Sequence, residues 1–275
     1  MKTPSLKTLL PRMQGFTLVE VVIVIVITGI LGAMVAVFIK KPVDSYFDSA
    51  RRSALTDIAD TAARRMSRDI SKALPNSIRT PTTQCIEFIP TKTGGRYRAE
   101  TDSTGAGDIL DFTVADTSFD MLGANSTLPD QTIATGDVIA VYNLGAGIND
   151  AYVGNNTSTV SAIGAGSLAN EIKISIGSKL FPLASGSSRF HVIPNAEKVV
   201  AYVCSGGKLY RTASNTFVSA CPINGAIMAN NVSSCNFVYN SSDLQRNALA
   251  QLTVKFTDSD ETVSLYHEVH VNNTP

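Results

Sequence analysis

Glu20 sits five residues into an otherwise apolar run that extends from Phe16 to Ile39. As a helix rising 1.5 Å per residue, these 24 residues reach about 36 Å, enough to cross a hydrocarbon core of about 30 Å with some tilt. A charged side chain inside such a span costs roughly 2.5–3.5 kcal/mol even on lenient insertion scales. A segment that only anchors a protein gains nothing from that carboxylate. Glu20 is therefore expected to be paired, with its partner in another copy of the same architecture.

Residues 1–15 form a short polar leader whose only charges are Lys2, Lys7 and Arg12. That excess of positive charge predicts a leader held on the cytoplasmic side, with the rest of the chain on the far side of the membrane. An ordinary secretory signal fits poorly, because the apolar run exceeds the usual 7–15 residues and no small-x-small cleavage site closes it.

Gly15-Phe16-Thr17-Leu18-Val19-Glu20 followed by Val21-Val22-Ile23-Val24-Ile25-Val26-Ile27 resembles the class III signal of type IV pilins and pseudopilins. The resemblance implies a cut by a prepilin peptidase between Gly15 and Phe16 and N-methylation of the new Phe16 amine. Glycine before the cut leaves the backbone open to the peptidase, with no Cβ in the way. The resemblance also supplies a partner for Glu20, the cationic Phe16 amine of a neighbouring subunit. Paired in low dielectric, the two charges attract strongly, whereas either alone is costly. Glu20 and Phe16 then act in assembly, not in catalysis.

Residues 16–39 read as the membrane helix and residues 40–74 as an amphipathic stalk. Lys40 and Lys41 can snorkel to the headgroups ahead of Pro42, where a kink is expected. Ala50, Ala54, Ile58, Ala62, Met66, Ile70 and Leu74 recur every four residues, with Leu55, Ala59 and Ala63 beside them. That stripe predicts a helix face pressed on by a sheet, with Ile58, Met66 and Ile70 buried. Asp48–Arg52 and Asp60–Arg64 are i,i+4 pairs in the favourable orientation, and Pro75 stops the helix.

Residues 75–275 read as a β-rich head of about ten antiparallel strands, starting with Cys85–Ile89, Ile109–Val114 and Asp137–Tyr142. The others are Glu171–Ile176, Phe190–Ile193, Val199–Cys204, Lys208–Arg211, Cys235–Tyr239, Leu249–Phe256 and Thr262–Val271. Ser205-Gly206-Gly207 and the stretch from Asp258 to Glu261 read as hairpin turns. The Gly/Asn/Ser-rich residues 143–170 read as a long loop. The fold class is therefore α+β, a long N-terminal helix packed on an antiparallel β-rich head.

Cys85, Cys204, Cys221 and Cys235 all follow the span, in what is then an oxidising compartment. Cys204 and Cys221 flank a hairpin-like stretch, which predicts a Cys204–Cys221 bridge and leaves Cys85 with Cys235. That is one of three connectivities the sequence permits. No zinc spacing is present: His267 and His270 lie three apart in an alternating strand and point to opposite faces, and His191 stands alone. Asp102, Asp108, Asn149, Asp150, Asn155 and Asn156 offer the hard oxygens calcium prefers. Their spacing matches no defined calcium loop, so they read as solvated turn residues and no cofactor is expected. No nucleophile–base arrangement or phosphate loop argues for an enzyme, and no basic patch argues for nucleic acid.

The order of elements also resembles the larger minor pseudopilins. Val199–Arg211 is similar to a hairpin of the J-type pseudopilin of type II secretion and of W-type minor pilins. A closer resemblance is to O-type minor pilins of the mannose-sensitive haemagglutinin (MSHA) pilus system. It rests on Pro42–Phe47, Arg64–Asp69, Ala73–Arg79, Gly94–Arg98, Gly105–Val114 and Val263–Val271. It implies a subunit that primes or caps a pilus, partnered by other pilin subunits, the prepilin peptidase and the inner membrane. The head would be periplasmic, then extracellular after assembly. A type II secretion pseudopilin and a pilus-borne adhesin are the alternatives.

Overall fold

A computed structural model describes residues 15–218, 221–240 and 247–275. The expected leader at 1–15 therefore lies outside the described residues except for Gly15. The chain divides at Arg51/Arg52 into two compact units. One helix, α1 (Leu18–Ile70), continues through Pro42. It starts two residues after the expected Phe16 and ends four before the expected Leu74.

In the second unit the buried helix face is Leu55, Ala59, Ala62, Ala63, Met66 and Ile70. Ile58 is only half-buried, and Ala50 and Ala54 are exposed. A strict four-residue repeat rotates about 40° per step around a helix of 3.6 residues per turn, so its early members drift off the contact face. The mixed 55–59–62–66–70 spacing stays centred. The expected Asp60–Arg64 pair forms at 2.7 Å. Asp48 instead pairs with Arg51, and Arg52 turns to Glu261 at 2.8 Å.

The head holds fourteen strands among the described residues. A five-stranded sheet runs in the order β1 (Arg79–Thr82), β2 (Cys85–Phe88), β9 (Val199–Ser205), β10 (Lys208–Ser214), β11 (Ala226–Ala229). A three-stranded antiparallel sheet comprises β12 (Val232–Asn240), β13 (Asn247–Asp258) and β14 (Glu261–Asn272). Both expected hairpin turns are present. Gly206 and Gly207 take φ of +56° and +75° between β9 and β10, and Ser259 takes +55° between β13 and β14. The helix face packs into one core with Ile86, Phe88, Val200 and Tyr202 of the larger sheet and Phe237, Leu252, Val254, Phe256 and Val269 of the smaller. Burying each large aliphatic there contributes about 1.5–3 kcal/mol.

Between β2 and β9 the chain builds a second body. Its strands are β3 (Thr93–Arg96), β4 (Asp116–Leu122), β5 (Val138–Val141), β6 (Thr157–Ala165), β7 (Glu171–Lys179) and β8 (Arg189–Ile193). They pair in the order β3-β8-β5-β6-β7-β4. The two outer strands then meet: Tyr97 bridges Met121, and the Arg98 N–H donates to Asp120 O at 2.8 Å. The sheet so closed surrounds its own core of Tyr97, Phe119, Ile139, Ile174, Phe181 and Phe190.

Two sequence expectations fail in this body. The 143–170 loop contains β6, whose Thr/Ser/Gly composition hides a strand with few apolar side chains. Ile109–Val114 is not a strand, because Asp111 Oδ1 accepts from the Thr113 N–H (2.6 Å) and hydroxyl (2.7 Å) and holds the backbone in a turn. The strand follows instead at Asp116.

Candidate functional site

The segment from Gly15 to Ile39 carries the sequence signal, and the structure refines how Glu20 sits in it. Thr17 precedes the first helical residue, and its Oγ1 accepts from the Glu20 N–H at 3.3 Å. The Val21 N–H donates to Thr17 O at 3.2 Å. Thr17-x-x-Glu20 is thus a capping-box sequence, a signal readable beforehand that reasoning from the apolar run passes over. Because the helix begins at Leu18, Glu20 lies in its first turn. A carboxylate is favoured there by the exposed N–H groups and the positive end of the helix dipole. The cost of its charge falls accordingly, so the energetic case for an external partner is weaker than the sequence alone suggests.

Around and beyond Glu20 the helix is bare. An 18-residue window reaches a mean hydropathy of 3.0 with none of it buried in the protein. Phe16 is 80% exposed and Phe38 79%. A Cβ built at Gly29 or Gly32 would meet nothing within 4 Å. Such a surface is stable only against lipid or other apolar helices.

The other predicted residues distribute as follows. The disulfides are Cys85–Cys221 and Cys204–Cys235, with Cα–Cα distances of 6.1 and 6.3 Å. The expected Cys204–Cys221 and Cys85–Cys235 bridges are corrected by strand parity. Cys85 is opposite Val203 across β2–β9, so the two side chains share a face, and Cys221 packs against that face with Ala201. Cys204, one residue on, points to the opposite, helix-facing side, where Cys235 lies.

The six oxygen-bearing turn residues fall into two stretches, 102–108 and 149–156, and are engaged locally. Asp102 Oδ1 accepts from the Thr104 N–H (2.8 Å), the Thr104 hydroxyl (2.7 Å) and the Ala106 N–H (2.8 Å). Asp108 accepts from the Ser118 hydroxyl at 2.6 Å and Lys173 at 3.0 Å. Asn149 and Asn156 donate to Tyr142 O and Val141 O at 2.8 and 3.2 Å. Asn155 Oδ1 accepts from the Asp150 N–H at 2.9 Å, and Asp150 Oδ1 from the Tyr152 N–H at 2.9 Å. Among the described residues no group of three or more His, Cys, Asp or Glu is placed to hold a metal ion. His267 and His270 point to opposite faces of β14. Burial, with the nearby Arg189 charge, pushes His191 down to about 4.

What fixes the lower helix to the sheet is a polar network that the sequence does not announce. Asp69 accepts from the Tyr202 hydroxyl and from Arg211 Nε, both at 2.7 Å. Arg211 also clasps Glu197 through two bonds of 3.0 Å. Glu197 and Asp69 together hold the guanidinium firmly charged despite its burial, while burial and the Asp69 carboxylate push the Tyr202 hydroxyl up.

Residues 10–36 match the family model described as the prokaryotic N-terminal methylation motif. No curated protein and no solved structure matches the chain. The match ends inside the apolar helix, so the head is described by its own geometry. The motif implies assembly with other pilin subunits and prepilin peptidase processing in general, and with the apolar helix it fits a single-pass membrane-anchored protein. The chain thus carries a type IV pilin-like signal, which supports the pilin and pseudopilin superfamily.

Proposed function

We propose that this protein is a minor pilin that primes or caps a type IV pilus of the MSHA type, cleaved after Gly15 and N-methylated at Phe16. It has no enzymatic role and needs no cofactor in this reading. The observation that carries it is the methylation motif set on a wholly exposed apolar helix, with a carboxylate in the first turn. Cleavage would create the Phe16 amine at that end of the helix. A neighbour's amine could then meet Glu20 where the carboxylate already lies, and the pair would set the axial register between adjacent helices. The head, stapled by two disulfides, suits an oxidising exterior such as the periplasm.

Glu20→Ala tests the reading. The variant should insert in the membrane and be cleaved at wild-type levels, while pili on the cell fall to the number seen without the protein. Normal piliation by Glu20→Ala would refute the assembly role. Glu20→Gln separates charge from shape: it preserves the capping geometry and should fail equally if the ion pair matters.

A further inference from the structure

Beyond the helix, most of the described arginines are held by carboxylates. Arg79 pairs with Glu87 at 3.0 Å, Arg98 pairs with Glu171, and Arg211 takes Asp69 at 2.7 Å and Glu197 at 3.0 Å. Arg96 and Arg189 break that pattern. Both are exposed, and among the described residues neither has an ion pair or a side-chain hydrogen bond. They lie directly opposite each other across β3 and β8, in the register Gly94↔His191, Gly95↔Phe190, Arg96↔Arg189. Phe190 fills the core of the six-stranded body, so alternation turns Arg96, Arg189 and His191 to its outer surface. Like charges directly opposite on a sheet weaken the pairing. An anion between the two guanidiniums would relieve that repulsion.

The surface beside them is hollow. Gly94, Gly95, Arg96, Arg189, Phe190 and His191 line a cleft of about 290 Å³. A Cβ at Gly94 would lie 2.7 Å from Phe190 O, so no side chain can fill the floor at that point. His191 contributes a half-buried imidazole whose Nε2 is enclosed and has no hydrogen-bond partner among the described residues. Its strand neighbours are Gly94 on β3 and Ala140 on β5, and the charge that acts on it is that of Arg189. The lining therefore holds two cations and a third potential donor, and no carboxylate competes for them. A cleft walled by one sign of charge raises the local concentration of counter-ions.

We propose that Arg96 and Arg189 form a binding site for a dianionic oxyanion, a phosphate group or its sulfate analogue, with His191 as a third donor. Two forked guanidiniums can grip one tetrahedral anion through bidentate, charge-assisted bonds. The bound anion offsets the Arg189 charge at the imidazole and favours its protonated form, giving the ring a further N–H to donate. Because both guanidiniums are exposed, the site admits a free ion or the ester end of a sugar phosphate alike. It involves neither Glu20 nor the leader, so it stands or falls apart from the pilus role.

The test uses the full chain in a non-ionic detergent with isotope-labelled histidine, titrated with inorganic sulfate at constant ionic strength and followed by NMR. The His191 ring signal should shift saturably, with half-saturation at about 1 mM or below. Its titration midpoint should rise above the value of about 4 that it has without the anion. His267 and His270, both on β14, are internal controls and should not move. Arg96→Ala and Arg189→Ala should each weaken binding about tenfold, and the double variant should abolish it, with Cys85–Cys221 and Cys204–Cys235 still formed. Inorganic phosphate and glucose 6-phosphate, compared at neutral pH, separate the two sources. Equal or tighter binding of the ester identifies a phosphorylated sugar, weaker binding identifies the free ion, and either outcome supports the site. A His191 signal unmoved by sulfate overturns the proposal. So do shifts that persist in the double variant or that appear equally at His267 and His270.

Discussion

Asp69 offers the sharpest test of how the helix is held on the head. Its carboxylate takes the hydroxyl of fully buried Tyr202 and the Nε of Arg211, each at 2.7 Å. Asp69→Ala removes both bonds and leaves the phenol with no acceptor, while Arg211 keeps its two bonds to Glu197. A stranded buried donor costs about 1–3 kcal/mol, and a hydrogen bond to a charged group contributes about 1.5–3 kcal/mol. Because Arg211 is compensated, a total of about 3–4 kcal/mol is expected for Asp69→Ala. Asp69→Asn keeps an acceptor without its charge and should cost about 1–2 kcal/mol, and Tyr202→Phe removes donor and demand together at about 1 kcal/mol. Denaturant unfolding of the detergent-solubilised chain, followed by circular dichroism, gives the ranking. In Tm the alanine variant should lose about 6–16 °C, at 2–4 °C per kcal/mol for a domain of this size. The double variant Asp69→Ala/Tyr202→Phe should cost less than the sum of its parts, since the stranded hydroxyl is gone. Additive losses, or an Asp69→Ala cost below that of Tyr202→Phe, would refute the network.

Three further outcomes follow from the same geometry. Replacing Cys204 and Cys235 with alanine opens a sequence separation of 31 and replacing Cys85 and Cys221 one of 136, so chain entropy alone predicts losses of about 3.7 and about 5 kcal/mol; non-reducing peptide maps of the wild type must show those two pairings. His191 is neutral in the folded head, with its proton affinity lowered from 6.5 to about 4. Its contribution is therefore complete above pH 6.5 and is lost as pH falls towards 4, approaching about 3 kcal/mol at about 1.4 kcal/mol per unit; His191→Leu should flatten the stability profile between pH 6.5 and 5. Met66→Ala, in the middle of the helix face, should cost about 2–5 kcal/mol by denaturant unfolding, while Ala54→Ser on the exposed side should cost almost nothing.

The elements legible in the sequence were those in which a single physical signal dominates. The apolar run, the Gly206-Gly207 turn and β13–β14 each carry one unambiguous pattern, and all three stand where that pattern places them. The disulfide pairing was not legible. It depends on which face of β9 Cys204 occupies relative to Cys85, and that parity is fixed only when β2 and β9 come together across the intervening body. β6 was hidden because its pairing partners, β5 and β7, supply the apolar side chains that its own Ser and Thr lack. Thr17 and Glu20 were legible as a capping box but were overshadowed by the louder hydrophobic signal around them.

The closed six-stranded body also changes how far the chain must search to finish the head. β2 and β9 are separated by about 110 residues, and joining ends that far apart carries the entropy of a long loop. Yet that body enters and leaves through neighbouring strands, with Thr93 opposite Val192 and the Lys92 N–H on Val192 O at 2.9 Å. Once it has closed, only about ten free residues remain between β2 and β9. Since closure entropy scales as (3/2)RT ln n, that contraction lowers the cost of pairing them by about 2 kcal/mol. The body thus acts as a splice, letting a sheet assembled from distant segments close almost as if they were adjacent in the chain.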